Sequence, residues 1–206
     1  MKKKLIFIGN SIVAGYPFSR GKSFVGVLRK DLKDKGYDII NKGVNGDTTA
    51  GIAARLQTDA LSHNPDMVFV LTGTNDFIYR DATPEEAFAN MEGIAASIEA
   101  TDSASGGKAV PVFITPLHVD PDKAGFMWMA GCGIVYEAVN RDIDKLREMI
   151  INSGRRYVDM TALFDGYCAE IGDPDLVYLD GLHPLDGGHR FMAEKIAEFL
   201  EQNRDI

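Results

Sequence analysis

A hydroxyl, an imidazole and a carboxylate are the minimum set for acyl transfer through a covalent intermediate. The hydroxyl attacks, the imidazole takes its proton, and the carboxylate orients the imidazole. Ser11 follows Gly9 and Asn10 directly after a short apolar run, where a strand-to-helix turn presents both its Oγ and its own N–H. A serine in that place also serves as an ordinary helix N-cap, so alone it carries little. His183 lies between Gly181 and Pro184 ahead of the last helical stretch, and Asp180 precedes it by three residues. One tight turn can therefore carry both, with the carboxylate on one ring nitrogen and the other nitrogen free for the serine proton. The same residues could instead form a turn in which Asp180 caps local N–H groups.

Acyl transfer also needs donors for the developing oxyanion. Gly46, within Gly43-Val44-Asn45-Gly46-Asp47, offers a backbone N–H, and Asn75, within Gly73-Thr74-Asn75-Asp76, offers a side-chain amide. Met singly, these are a turn glycine and a loop asparagine. What gives them weight is position. Three of the four segments directly follow strand-like runs and the fourth lies near the chain end, and in an open parallel sheet ligands bind beyond the carboxyl ends of the strands.

The elements that must hold these residues are legible as alternating short apolar runs and longer stretches of helical period, the signature of βα units around a parallel sheet covered on both faces. Strands are expected near Leu5–Ile8, Asp38–Asn41, Met67–Leu71, Val110–Thr115 and Arg156–Asp159, the third and fourth being continuously apolar. Helices are expected over Phe24–Lys35, Thr49–Ser62, Pro84–Ala100, Val135–Asn152 and Pro184–Gln202. Thr83 with Glu86 forms a capping-box pattern around Pro84, and Gly36 and Gly154 stand where helix ends call for a left-handed residue. The segment Asp102–Lys108 is a surface loop rather than a linker. With 206 residues, 45% hydrophobic, the chain suits one globular domain over 1–206.

A formal charge of −8 disfavours nucleic acid and anionic lipid as partners, and the Lys2–Lys4 run is a solvated start. The apolar stretch behind that run, Leu5–Ile8, is too short for a secretion signal, and no run approaches the length of a membrane span, so a soluble, cytoplasmic chain is expected. Cys132 and Cys168 lack a Cys-x-x-Cys spacing and read as buried free thiols.

Rival chemistries fit less well. Gly15, Gly21, Lys22 and Ser23 resemble a phosphate-binding loop, but five residues separate the glycines where the motif allows four. Ser11 lacks the second glycine of a Gly-x-Ser-x-Gly elbow. A noncatalytic module has little reason to keep all five functional positions filled.

Taken in order, the Ser11, Gly46, Asn75 and Asp180/His183 segments resemble the blocks of the SGNH hydrolases, the GDSL-type esterases and lipases, from Ile6 to Pro184. One departure stands out: the first block usually reads Gly-Asp-Ser, and here it is Gly9-Asn10-Ser11. The resemblance implies a flavodoxin-like three-layer α/β/α sandwich with a central five-stranded parallel sheet, ester hydrolysis through an acyl-serine, and no metal or organic cofactor. It implies Ser11, Asp180 and His183 as catalytic residues, and Ser11, Gly46 and Asn75 as the oxyanion hole. The substrate expected is a small-molecule ester, with an acetyl ester of a carbohydrate or similar favoured over a lysophospholipid or thioester of longer chain. The loop from Pro116 to Gly133, with His118, Phe126, Met127, Trp128 and Met129, is where specificity is expected. Asn10, Asp76, His118 and Trp128 are the candidate pocket residues, while His63 and His189 read as structural. A homodimer is compatible with such a domain.

Overall fold

The computed structural model describes residues 2–127 and 134–203. Five parallel strands form one sheet in the order β2-β1-β3-β4-β5: β1 (Lys3–Gly9), β2 (Tyr37–Gly43), β3 (Met67–Leu71), β4 (Val110–Ile114) and β5 (Tyr157–Val158). This is the doubly wound order of flavodoxin, whose direction reverses between β1 and β3 and opens a crevice beyond their carboxyl ends. The turns after β1, β2 and β3 carry Ser11, Gly46 and Asn75, so the topology delivers all three to that crevice.

The sheet is sealed on both faces because successive strand side chains point in opposite directions. Leu5 and Phe7 of β1 join Met67, Phe69 and Leu71 of β3 on one face, under α2 (Phe24–Asp31), α8 (Met160–Ile171) and α10 (Asp186–Gln202). Ile6 and Ile8 join Val68 and Val70 on the other, under α3 (Thr49–Asp59), α5 (Pro84–Ala100) and α7 (Tyr136–Asn152). Phe7 stacks on Phe69 with ring centroids 4.5 Å apart and meets Phe24 edge-on at 5.8 Å. Fully burying each such ring contributes roughly 1.5–3 kcal/mol. Helix α7 shows why its period was readable: Tyr136, Val139, Ile143, Leu146 and Ile150 are its buried stripe. The Thr83–Glu86 capping box is formed in both directions, at 3.2 and 2.8 Å. Among the described residues no helix is long and apolar enough to cross a membrane.

Several elements differ from the sequence expectation. The helix after Ser23 stops at Asp31, with the turn running on to Gly36 at φ 86°. The helix from Thr49 ends at Asp59 and passes into a 3-10 turn at Leu61–His63. The last helix begins at Asp186 rather than Pro184. The fifth strand contracts to two residues because Asp159 is the N-cap of α8, accepting from Ala162 N. Helix α8 itself was not anticipated, since Gly166 sits inside it and interrupts the apolar period. Short helices α1 (Ser11–Ala14), α4 (Thr74–Tyr79), α6 (Pro121–Met127) and α9 (Pro174–Val177) fall below the length at which periodicity speaks.

Candidate active site

Ser11 is the first residue of α1, and Asn10 caps that helix by accepting from Ile12 N at 3.0 Å. An aspartate would accept the same bond, so asparagine preserves the turn that presents Ser11. Helix α1 lies directly on the strand ends: a Cβ on Gly43 would collide with the backbone of Ala14, and one on Gly9 with the Leu71 carbonyl and Val13. These two positions therefore accept no side chain, and the Ser11 turn is pressed against β1, β2 and β3.

Asp180 and His183 occupy one turn before α10. The carboxylate accepts from the backbone N–H of Leu182 and His183 through Oδ1, at 3.0 and 2.8 Å, and its Oδ2 lies 2.7 Å from His183 Nδ1. Burial works against the charge on Asp180, but the ring of His183 and these N–H groups outweigh it and hold the carboxyl below its usual range. Gly181, at φ 84°, packs against the backbone of Asp120 and Ala124. On its far side, His183 Nε2 lies 2.8 Å from Ser11 Oγ, and the ring of Tyr16 packs on the imidazole at 4.7 Å. With the proton on Nδ1, Nε2 accepts from the serine hydroxyl. This array can move a proton from Ser11 to His183 while Asp180 stays ionised.

Gly46 turns at φ 77°, and Asn75 donates one side-chain N–H to the Asp47 carbonyl at 2.8 Å. Neither the Ser11 nor the Gly46 backbone N–H has an acceptor among the described residues. Ser11, Gly46, Asn75, Asp180 and His183 all line one cleft of about 310 Å³. The sequence thus located five residues that the fold does bring together.

The structure places the other pocket candidates differently. Asn10 is buried as the α1 cap. Asp76 is buried behind Asn75, where it accepts from Thr49 N at 3.1 Å and Thr49 Oγ1 at 2.6 Å, so it braces the start of α3 rather than lining the cleft. Burial pushes its carboxyl up. His118 points away, its ring bridging Asp165 at 2.9 Å and Asp144 at 3.0 Å, and its bond to Asp165 raises its pKa. Trp128, Met129 and Cys132 lie outside the described residues, as do the side chains of Phe126 and Met127. Cys168 is a half-buried free thiol. Ser23 of the near-miss phosphate loop is the α2 N-cap, accepting from Gly26 N. Buried His189 accepts from Phe24 N at 3.3 Å, and His63 ends the 3-10 turn.

Sequence reasoning missed the cleft's aromatic walls, Tyr16, Tyr79 and Tyr136, with Ile78 and Leu182. The adjacency of Tyr16 to the Ser11 turn and of Tyr79 to Asn75 was the available signal. Among the described residues no group of three His, Cys, Asp or Glu side chains could hold a metal ion.

Residues 7–191 match the family described as GDSL-like lipase/acylhydrolase. The chain is similar to an arylesterase of Vibrio mimicus, with 29% identity over 201 residues, 96% of this chain and 88% of the relative. It is similar to the esterase TesA of Pseudomonas aeruginosa, with 33% identity over 195 residues, 93% of this chain and 85% of the relative. Its fold matches the crystal structure of an acetylxylan esterase from Geobacillus stearothermophilus at a TM-score of 0.70 and 19% identity, covering 95% of this chain and 93% of that one.

Proposed function

The chain belongs to the GDSL-like lipase/acylhydrolase family and is a carboxylic ester hydrolase, and from that premise we propose that it is a serine esterase acting on small uncharged esters through an acyl-Ser11 intermediate. The observation that carries the proposal is the 2.8 Å approach of His183 Nε2 to Ser11 Oγ inside the cleft that Gly46 and Asn75 also line. We take residues 1–206 to form one hydrolase domain, since both helical layers pack on the same sheet.

In this mechanism Ser11 Oγ attacks the ester carbonyl carbon and its proton passes to His183 Nε2. The oxyanion is met by the N–H groups of Ser11 and Gly46 and the second amide hydrogen of Asn75. Collapse breaks the bond to the alcohol, which leaves with the proton from Nε2. Water then attacks the acyl-serine, gives its proton to Nε2, and releases the acid as that proton returns to Ser11. Asp180 orients the imidazole and stabilises its cationic form throughout.

The substrate class follows from the walls. Apart from Asp180 and His183, the cleft residues are uncharged, and no lysine or arginine among the described residues lines it to pair with a phosphate or carboxylate. Three tyrosines and Asn45 suit a neutral alcohol with a flat or sugar-like face. This agrees with the relative named an arylesterase. The apolar wall of Ile78, Tyr79 and Leu182 favours a second reading, hydrolysis of longer acyl chains.

Steady-state hydrolysis of p-nitrophenyl esters from acetyl to decanoyl, with wild type and Ser11→Ala side by side, tests both. Turnover by wild type alone, falling with chain length, supports the small-acyl reading. A preference for octanoyl or decanoyl transfers the assignment to the second. Equal turnover by both proteins removes Ser11 from the mechanism.

A further inference from the structure

Building on the serine-esterase reading, we propose that Arg55 is a positioning residue for the oxyanion hole, holding the Gly46–Asp47 turn against the strand that leads into Ser11. Arg55 lies on α3 with its side chain only 18% exposed. Its guanidinium has five N–H groups and reaches four acceptors. Nε and Nη2 meet Asp47 Oδ2 at 2.7 and 2.6 Å, Nη1 donates to the Lys42 carbonyl at 2.9 Å and to Asp59 Oδ2 at 2.8 Å, and Nη2 reaches the Gly9 carbonyl at 3.2 Å.

Three of the four acceptors belong to different parts of the site's support, and the fourth, Asp59, lies on α3 itself. Gly9 ends β1, two residues before Ser11. Its carbonyl also accepts from Val44 N at 2.9 Å, so the first and second strand exits are already stitched there. Lys42 belongs to the end of β2. Asp47 follows Gly46, and its main-chain carbonyl is the acceptor that fixes the Asn75 amide at 2.8 Å. One side chain therefore connects the backbone leading to the nucleophile with the turn that carries one donor and anchors another. The remaining Asp47 oxygen, Oδ1, accepts from Thr48 N at 3.1 Å and occupies the space where a Cβ on Gly51 would fall, so a side chain at position 51 would displace this carboxylate. Arg55 itself does not line the cleft and touches no reacting atom.

Lysine cannot replace this residue in function. A compact ammonium on a flexible stem can pair with Asp47, but it cannot span carbonyls on two strands and two carboxylates at once. Displacing a donor by about 1 Å is enough to cost on the order of 10²-fold in rate.

The test compares kcat, KM and melting temperature for Arg55→Met, Arg55→Lys, Asn75→Ala and the double variant Arg55→Met/Asn75→Ala. Arg155→Met is the structural control, because Arg155 is as buried as Arg55 and pairs with Glu92 and Glu99 away from the cleft. We expect Arg55→Met to lower kcat by about 10- to 100-fold with KM within about threefold of wild type, and Arg55→Lys to remain well below wild type. Arg155→Met should lower the melting temperature and leave kcat alone. Because Arg55 acts through the turn that anchors Asn75, the double variant should lose at least about threefold less than the product of the single losses. If Arg55→Met does not fold, Arg55→Lys takes its place in the double variant. Full kcat in either folded Arg55 variant, or losses that multiply, overturns the inference. Unchanged turnover in Ser11→Ala and Asn75→Ala overturns instead the esterase reading on which it rests.

Discussion

One amide hydrogen of Asn75 is committed to the Asp47 carbonyl at 2.8 Å, so the protein fixes the plane of that side chain before any substrate arrives. Preorganisation of this kind is what lets a donor stabilise charge without reorganising during the reaction.

Asn75→Ala should therefore act on the chemical step: kcat for p-nitrophenyl acetate falls by about 10²–10³ while KM changes little. Steady-state kinetics checks this. A variant whose KM rises with kcat intact would place Asn75 in ground-state binding.

Ser11→Ala and His183→Ala should each remove nearly all turnover, and Ser11→Ala should also abolish labelling by a fluorophosphonate. Asp180→Asn keeps an acceptor for the Leu182 and His183 N–H groups but withdraws the charge beside Nδ1, so its loss should reach as much as about 10⁴ with the fold retained. Labelling of Ser11→Ala at the wild-type rate would point to another nucleophile.

Asp76→Ala should destabilise the fold by about 1–3 kcal/mol, because it leaves the buried N–H and hydroxyl of Thr49 without their acceptor. Asp76→Asn keeps an acceptor oxygen and should be milder. Urea denaturation separates the two, and an Asp76→Ala midpoint equal to wild type would contradict the bracing role.

His189 predicts an acid sensitivity. Burial, its largest influence, lowers its pKa to about 4 from the ordinary 6.5. Between those values the unfolded chain binds a proton that the folded chain refuses, so stability is complete above about pH 6.5 and is lost as pH falls toward 4. The contribution is at most about 3 kcal/mol. His118, whose pKa its bond to Asp165 raises, acts in the opposite sense over the same pH range, and the depressed carboxyl of Asp180 adds to the loss only at its acid end. Between pH 7.5 and 5 the melting temperature should fall more steeply for wild type than for His189→Asn. Parallel slopes would assign the loss to other groups.

The positions that converge on the cleft were legible because each depends on local sequence: a strand exit, a tight turn, a residue type. Five strands were likewise visible as apolar runs, and the alternation of Leu5 and Phe7 with Ile6 and Ile8 is the two-faced sheet in miniature. What escaped was whatever depends on contacts between distant segments. Nothing local distinguishes Arg55 from a solvated arginine on a helix, and its role exists only because β1, β2 and the Asp47 turn converge there. Asp76 and His118 looked like pocket residues from their neighbours in sequence, yet Thr49 claims one and Asp165 with Asp144 the other. Helix α8 was hidden by Gly166, although Asp159 and Gly172 mark its ends.

Asp180 and His183 find one another within a single turn, but their partner Ser11 lies at the opposite end of the chain. Bringing them together closes a loop over most of the chain, and that entropic cost must be met before the contact rewards it. On the serine-esterase proposal, turnover is therefore a late event in the life of a newly made molecule: the Ser11–His183 contact stays open while helices form and strands pair, and it closes when the C-terminal turn docks. Regained turnover on refolding will trail regained helicity, which makes activity a stringent reporter of completed assembly.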